Sequence, residues 1–178
     1  MRAPFCPLEV DLARVGVVVT GLGCITPLGL DVAGTWAALA EGRSGVAPIT
    51  SFDASPFETR FAAEVKGFEP EALLGRRLAR RMDRFTQFAA AATQQALAQA
   101  GLTIDARNRD RVGVIVGTGI GGIATLIEEG ERMRSAGPRR VSPFMVPMML
   151  PDGAAGQIAI LFGARGPNMA VVTACATG

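Results

Sequence analysis

The stretch NMAVVTACATG, residues 168–178, decides the fold class of this chain. Met169, Val171 and Thr173 would lie on one face of a strand and the residues between them on the other, so both faces are suited to burial. Strands buried on both faces are typical of parallel sheets that helices cover. The strand leads directly into Cys175 and small residues that can open a helix. The sequence therefore predicts a strand that carries a cysteine to a helix start.

Strands and helices alternate along the rest of the chain. Apolar periodicity and turn residues predict strands over 15–20, 61–66 and 111–116, and helices over 31–41, 83–100, 122–134 and 152–162. This alternation implies an α/β layered fold with a largely parallel sheet. Small residues on one face of the 83–100 helix would let it pack close to that sheet.

Composition excludes several classes of protein. The chain is 49% hydrophobic and 19% charged, which is typical of a globular protein and not of a disordered one. The uncharged stretches 15–30 and 112–127 are interrupted by glycine, threonine or proline, so neither predicts a membrane span. We see no secretory signal, and three widely spaced cysteines predict a reducing, cytoplasmic location. Histidine is absent, so any histidine-dependent step needs another chain or further sequence.

Cys175 is the candidate nucleophile. Amide N–H groups at a helix start carry partial positive charge, which would stabilise a thiolate at this position. The alternative is a small cysteine that packs as a hydrophobic residue, which is how we interpret Cys6 and Cys24. Position alone favours this packing interpretation for Cys175 as well, and only the neighbouring residues change it.

The glycine-rich segment GTGIGG, residues 117–122, fits the dinucleotide-binding pattern G-x-G-x-x-G between a strand and a helix. That pattern also needs an acidic residue at the end of a second strand about 20 residues further on. Residues 132–151 contain no acid and no convincing strand. An NAD(P)-binding oxidoreductase is therefore a weak alternative.

Five arginines fall within nine residues and form two adjacent stripes at helical spacing: Arg76, Arg77, Arg80, Arg81 and Arg84. Asp83 is the one acid among them. A basic face of this kind could attract an acidic or phosphate-rich partner, or it could be an ordinary solvated surface. Nucleic acid is not favoured, because interleaved aromatic residues are missing and the net charge is only +2.

Four segments, in this order, resemble the β-ketoacyl-[acyl-carrier-protein] synthases of the fatty-acid-elongating type. They are VVTGLG at 18–23, GTGIGG at 117–122, GPRRVSPF at 137–144, and TACATG at 173–178 preceded by RGPN at 165–168. The resemblance implies a thiolase-like αβαβα fold, of which the N-terminal half is largely present. Residues 1–13 would be an N-terminal arm, and 14–178 the first part of the synthase domain, truncated just after the nucleophile.

The resemblance also implies roles for individual residues. Cys175 matches the nucleophile of these enzymes. Related chain-length factors, which lack condensing activity, carry another residue in its place. Ile120 matches a residue that gates entry of the acyl chain, and Met145 one that lines the pocket of the partner subunit; ordinary core packing is the alternative for both. Residues that would dock an acidic carrier protein are Arg77, Arg80, Arg81, Arg139 and Arg140.

The implied reaction is a decarboxylating Claisen condensation between acyl- and malonyl-loaded acyl carrier protein. The implied enzyme is a homodimer that uses neither a metal nor a redox cofactor. Neither nucleic acid nor a membrane is an expected partner. The family draws two histidines, a lysine and a second oxyanion donor from its C-terminal half. None of these is present, so we expect this polypeptide alone to lack condensing activity. A non-catalytic module that docks carrier protein or partner subunits is the second hypothesis.

Overall fold

The computed structural model describes residues 16–177, so the predicted N-terminal arm lies outside the described residues. In chain order the helices and strands are α1 (Val32–Ala40), β1 (Val46–Pro48), β2 (Phe61–Ala63), α2 (Pro70–Leu74), α3 (Arg76–Ala79), α4 (Arg84–Ala100), β3 (Val114–Gly117), α5 (Ile123–Ala136), α6 (Met145–Met149), α7 (Gly153–Phe162) and β4 (Asn168–Val171). Single 3₁₀ turns span Arg109–Arg111, Pro138–Arg140 and Ala174–Thr177. From β3 onward the chain runs strand, three helices and strand, so a helical crossover joins β3 to β4.

The centre of the fold is a parallel pair of strands, β3 and β4, in which Val116 lies opposite Ala170. Val114 and Val116 pack against a core that α4 and α7 contribute to from the same side of the sheet. The buried members of this core are Leu74, Ala79, Met82, Ala90 and Ile158. The parallel pairing and the helical cover confirm the α/β prediction.

The opposite face of the same pair is uncovered. Ile115 and Met169 are neighbours in register, and 67% and 55% of their surfaces are exposed. Among the described residues, therefore, only one of the two faces that the sequence indicates as suited to burial is covered. The pattern correctly identified two apolar faces, but only one has a helical layer against it here.

The strand predicted over 15–20 is wrong. Residues 16–20 form no strand, and Val17, Val18 and Val19 are 92%, 77% and 78% exposed. Valine favours an extended backbone, but a strand also needs a neighbour whose N–H and C=O groups complete the ladder. Within residues 16–177 no segment pairs with this stretch.

The helix ends agree closely with the prediction. Asp31 caps α1 by accepting a hydrogen bond from the N–H of Gly34 at 2.6 Å. Asp83 caps α4, and Gly101 closes it in the left-handed conformation with φ of +62°. No helix in the described part of the chain has both the length and the apolar character that a membrane span requires.

The small residues of α4 do permit a close approach, but the segment that exploits it is a loop and not a sheet strand. A Cβ atom on Gly23 would lie 1.9 Å from the backbone oxygen of Ala92, and one on Gly21 would lie 2.1 Å from that of Ala96. Glycine is therefore required where residues 21–23 cross α4.

An antiparallel hairpin of β1 and β2 carries a well-bonded carboxylate at its end. Glu64 accepts hydrogen bonds from the N–H of Ser51 at 3.0 Å and from the N–H and hydroxyl of Thr50 at 3.0 and 2.7 Å. These bonds from Ser51 and Thr50 favour the ionised form and lower the pKa of Glu64 to about 2.

Because this pKa is below the ordinary value of 4.5, the bonds stabilise the hairpin above pH 4.5 and are lost as the pH falls towards 2. We expect NMR titration of Glu64 in the intact protein to give a midpoint near 2. In Glu64→Gln, the protection factors of the hairpin amides, which are corrected for the intrinsic pH dependence of exchange, should no longer change over this pH range. A midpoint near the ordinary value would contradict the described bonding.

Candidate active site around Cys175

Cys175 lies in a single 3₁₀ turn, Ala174–Thr177, that follows β4 after two residues. Its side chain is exposed. Ala174 has φ of +50°, a left-handed conformation that residues other than glycine rarely adopt. The chain therefore changes direction sharply immediately before the cysteine, which exposes the sulfur at the carboxyl end of the strand. The sequence predicted a strand that leads into a helix start, and within the described residues the cysteine lies in this 3₁₀ turn instead.

The glycine-rich loop, residues 117–122, lies directly against this turn. The hydroxyl of Thr177 accepts a hydrogen bond from the N–H of Thr173 at 2.8 Å and contacts the backbone oxygen of Thr118 at 3.4 Å. A Cβ atom on Gly117 would come within 2.5 Å of the Thr177 methyl group. Thr177 thus holds the cysteine turn against the loop, and Gly117 leaves the space for it.

The other end of the loop rests on α6. The N–H of Gly122 donates to the backbone oxygen of Met149 at 3.0 Å, and a Cβ atom there would lie 2.4 Å from the oxygen of Met148. Gly121 has φ of +89° and donates its N–H to the hydroxyl of Thr118 at 3.1 Å. Packing against the backbone of α6 and a left-handed turn explain these glycines without a dinucleotide.

Ile120 and Met145 occupy different environments. Ile120, in the glycine-rich loop, is 63% exposed among the described residues. Met145 is the first residue of α6 and is half-buried. The loop contacts both the cysteine turn and α6, so the structure brings together the three segments that contain Cys175, Ile120 and Met145.

The arginine-rich segment does not form one continuous helix. Four of its arginines, with Phe144, line a depression of about 490 Å³: Arg76, Arg77, Arg80 and Arg81. Arg80 makes an ion pair of 3.7 Å with Glu71, and both side chains are more than half exposed. An exposed pair of this length is worth about 0–1 kcal/mol, so it leaves Arg80 available to a partner.

Arg84 does not belong to this surface, although helical spacing placed it on the same stripe. Its guanidinium donates to the backbone oxygen of Val65 at 3.0 Å. It also lies over the rings of Phe88 and Phe68, at 4.8 and 5.9 Å from their centroids. These contacts hold the exposed side chain against Phe68 and Phe88.

A second basic patch, Arg139 and Arg140, occupies the exposed 3₁₀ turn Pro138–Arg140. A buried carboxylate ties the end of this turn to α5, because Glu129 accepts a hydrogen bond from the N–H of Ser142 at 2.7 Å. Glu129 is only 6% exposed and also binds Arg132 at 2.6 Å. The second patch therefore has a fixed position on the fold.

Phe144 connects the two basic patches. The guanidinium of Arg81 lies 4.4 Å from the centroid of its ring. The backbone N–H of Phe144 donates to the hydroxyl of Ser142, two residues after the second patch, at 3.2 Å. The sequence predicted the two patches separately and gave no sign of this connection or of Glu129.

Comparison with known proteins identifies the family. The model of the beta-ketoacyl synthase N-terminal domain matches residues 15–178. The chain is 50% identical over 168 residues to 3-oxoacyl-[acyl-carrier-protein] synthase 2 from Synechocystis, and 47% identical over 165 residues to the protein of that name from Staphylococcus aureus. These alignments cover 94% and 93% of this chain and 40% of each relative, so the chain spans well under half the length of the relatives it matches.

Solved structures of ketosynthases share the fold of this chain. The ishigamide ketosynthase/chain length factor superposes with a TM-score of 0.72 at 29% identity, over 88% of this chain and 39% of that one. A beta-ketoacyl synthase from Burkholderia phymatum gives 0.71 at 30% identity, over 90% of this chain and 40% of that one. The α/β fold is thus that of the N-terminal half of a ketosynthase. The chain belongs to the beta-ketoacyl synthase family, as its N-terminal domain.

Proposed function

We propose that this chain works as the N-terminal part of a β-ketoacyl-[acyl-carrier-protein] synthase that elongates fatty acyl chains, with Cys175 as its nucleophile. One observation supports this above the others. Cys175 is an exposed thiol at the carboxyl end of a parallel strand, and Thr177 holds its turn against the glycine-rich loop. Parallel α/β folds place reactive groups at this end of their strands.

In the first stage, the Cys175 thiolate attacks the carbonyl carbon of an acyl thioester on the carrier protein. A new carbon–sulfur bond forms, the old one breaks, and the carrier protein leaves as its thiolate. The backbone N–H of Cys175 is suited to stabilise the oxyanion, and one such donor lowers the barrier by about 3–4 kcal/mol.

In the second stage, malonyl-carrier protein loses CO2, and the electron pair of the broken bond forms a carbanion. This carbanion attacks the acyl thioester and displaces the Cys175 thiolate, giving a 3-oxoacyl chain two carbons longer. The departing carboxylate supplies the electrons, so the reaction itself requires neither metal nor redox cofactor. In the family, histidines of the C-terminal half assist this stage.

Capture of the acyl-enzyme tests the proposed function directly. Full-length protein would be incubated with radiolabelled acyl-carrier protein, digested and mapped by mass spectrometry. We expect the label on the peptide that contains Cys175. Label on another residue, or no label at all, would overturn the proposal.

We further propose that the two basic patches form one docking surface for the acidic carrier protein. It comprises Arg77, Arg80, Arg81, Arg139 and Arg140. The stacking of Arg81 on Phe144 supports this, because that ring lies in the segment that follows the second patch. Exposed like charges on one surface raise the encounter rate with an oppositely charged partner.

Charge reversal at Arg80 is expected to weaken docking without slowing the chemistry. In full-length Arg80→Glu, KM for acyl-carrier protein should rise about tenfold or more with kcat nearly unchanged, because the lost interaction is the same in the ground and transition states. The effect should shrink at high salt. Steady-state kinetics at two ionic strengths would measure both changes.

Arg43→Glu is the matched control. Arg43 and Arg80 have similarly exposed side chains, 57% and 62%, and each pairs with an exposed glutamate, Glu41 or Glu71. We expect the control to keep the original KM. Equal effects of the two variants would mean that net charge matters and that the proposed surface does not.

The remaining roles also belong to the proposal. Exposure of Ile120 beside the cysteine turn supports a role at the entrance to the acyl pocket, and Met145 would line the pocket of a partner subunit. The resemblance also implies a homodimer packed near the strand that precedes Cys175. Two free cysteines, Cys24 and Cys175, agree with a cytoplasmic location.

A further inference from the structure

We propose that Asp83 is a positioning residue. It fixes the position of the glycine-rich loop, which lies beside Cys175, relative to the arginines of the docking surface. This inference rests on the proposed function. Asp83 lies in the sequence between Arg81 and Arg84, and only 7% of it is exposed. Burying a carboxylate is costly unless its oxygens accept hydrogen bonds, so its partners identify its role.

One carboxylate oxygen of Asp83 caps its own helix. Its Oδ1 accepts a hydrogen bond from the N–H of Phe85 at 3.2 Å, at the start of α4. This is the usual N-cap interaction, which an aspartate before a helix predicts. This bond accounts for one of the two carboxylate oxygens of Asp83.

The other oxygen caps a different helix. Its Oδ2 accepts from the hydroxyl of Thr125 at 2.6 Å and from the N–H of the same residue at 3.3 Å. Thr125 is the third residue of α5, where an N-cap side chain would normally bond. The residue at that N-cap is Gly122, which has no side chain to do so. Asp83 therefore supplies, from 42 residues away, the cap that α5 lacks.

The same oxygen touches the end of the glycine-rich loop. A Cβ atom on Gly122 would lie 2.9 Å from Oδ2, so the loop closes directly onto the carboxylate. The loop continues to Thr118, whose backbone oxygen contacts Thr177 of the cysteine turn. Asp83 is thus the contact between the arginine segment and the loop that borders Cys175.

A negative charge suits this place, because the N-termini of two helices point at it and both favour an anion. Asparagine has nearly the same shape and can still cap α4 through its one oxygen. Its amide group could still donate to the Thr125 hydroxyl, but it would face the N–H of Thr125, which caps α5, as a second donor. Asp83→Asn therefore breaks the connection to α5 while leaving the cap of α4 in place.

The test compares variants of the full-length enzyme in acyl transfer from acyl-carrier protein. For Asp83→Asn we expect kcat to fall about 10- to 100-fold, the scale of small misplacements at reacting groups, with KM within about twofold. This is the reverse of the pattern expected for Arg80→Glu. Thr125→Val should behave like Asp83→Asn, Thr125→Ser should keep nearly full activity, and the double variant should be no worse than either single one.

A cap that only stabilised the fold would lower the melting temperature and leave kcat and KM alone, and that result would overturn the inference. Additive losses in the double variant would overturn it as well. Amide hydrogen exchange separates this inference from the proposed function, since it needs no activity. Residues 118–125 should exchange faster in Asp83→Asn than in the wild type, whether or not Cys175 accepts an acyl group. Unchanged exchange there would refute the connection itself.

Discussion

On the proposed function, replacing Cys175 with alanine in the full-length protein is expected to abolish acyl-enzyme formation and to lower elongation by at least about 10⁴-fold. Loss of a catalytic nucleophile costs up to about 10⁶-fold in kcat in well-studied enzymes. The side chain is exposed, so the free energy of unfolding should hardly change. Elongation assays and mass spectrometry of the intact protein would measure the loss.

Cys24→Ala is the control for this variant. The Cys24 thiol is half-buried and lies 3.4 Å from the hydroxyl of Thr35, which is a packing environment. We expect the control to form the acyl-enzyme at a normal rate. Elongation by Cys175→Ala well above about 10⁻⁴ of the wild-type rate, or loss of acylation in the control, would show that the nucleophile has been assigned wrongly.

The second large effect concerns stability. Gly23→Ala is expected to destabilise the protein by about 3 kcal/mol or more, the upper range for overpacking a close-packed site. Its Cβ atom would lie 1.9 Å from the oxygen and 2.8 Å from the carbon of the Ala92 backbone, which cannot move without distorting α4. Relief would require the segment to leave the helix and break the bond of 3.1 Å between the Cys24 N–H and Gln95. Urea unfolding followed by circular dichroism would measure the change.

Gly130→Ala is the matched control, because Gly130 lies inside α5 and a Cβ atom there meets nothing within 4 Å. Alanine in a helix interior is more stable than glycine by up to about 1 kcal/mol, so this variant should unfold at higher urea concentration. Equal urea midpoints for Gly23→Ala and the wild type would mean that the segment does not lie on α4 as described.

The sequence predicted best those features that local interactions determine. The expected 83–100 helix is α4 with its first residue one position later, since its cap at Asp83 and its stop at Gly101 are both encoded within the segment. The strand over 15–20 failed, and only one of the two apolar faces of β4 is covered among the described residues. Strand pairing and two-sided burial both depend on neighbours far along the chain, and periodicity carries no information about which neighbours are present.

In the candidate site, too, local features were predicted and long-range contacts were not. The position of Cys175 after a strand was predicted, because strand and turn are adjacent in sequence. The contacts that organise the site join residues 59 and 42 positions apart, Thr118 with Thr177 and Asp83 with Thr125. Spacing could not reveal them, although a lone acid among arginines was a visible sign that Asp83 has a special role. The spacing of residues in the sequence also could not show that Arg84 stacks on Phe88.

The left-handed backbone at Ala174 restricts which amino acids evolution can place before the cysteine. A β-branched residue would crowd its own carbonyl group there, at a cost above the roughly 1–2 kcal/mol that alanine already bears. Glycine would remove the strain but would let the turn sample many orientations in place of one. Alanine is the smallest residue that still limits this freedom, so few other amino acids should be tolerated at position 174.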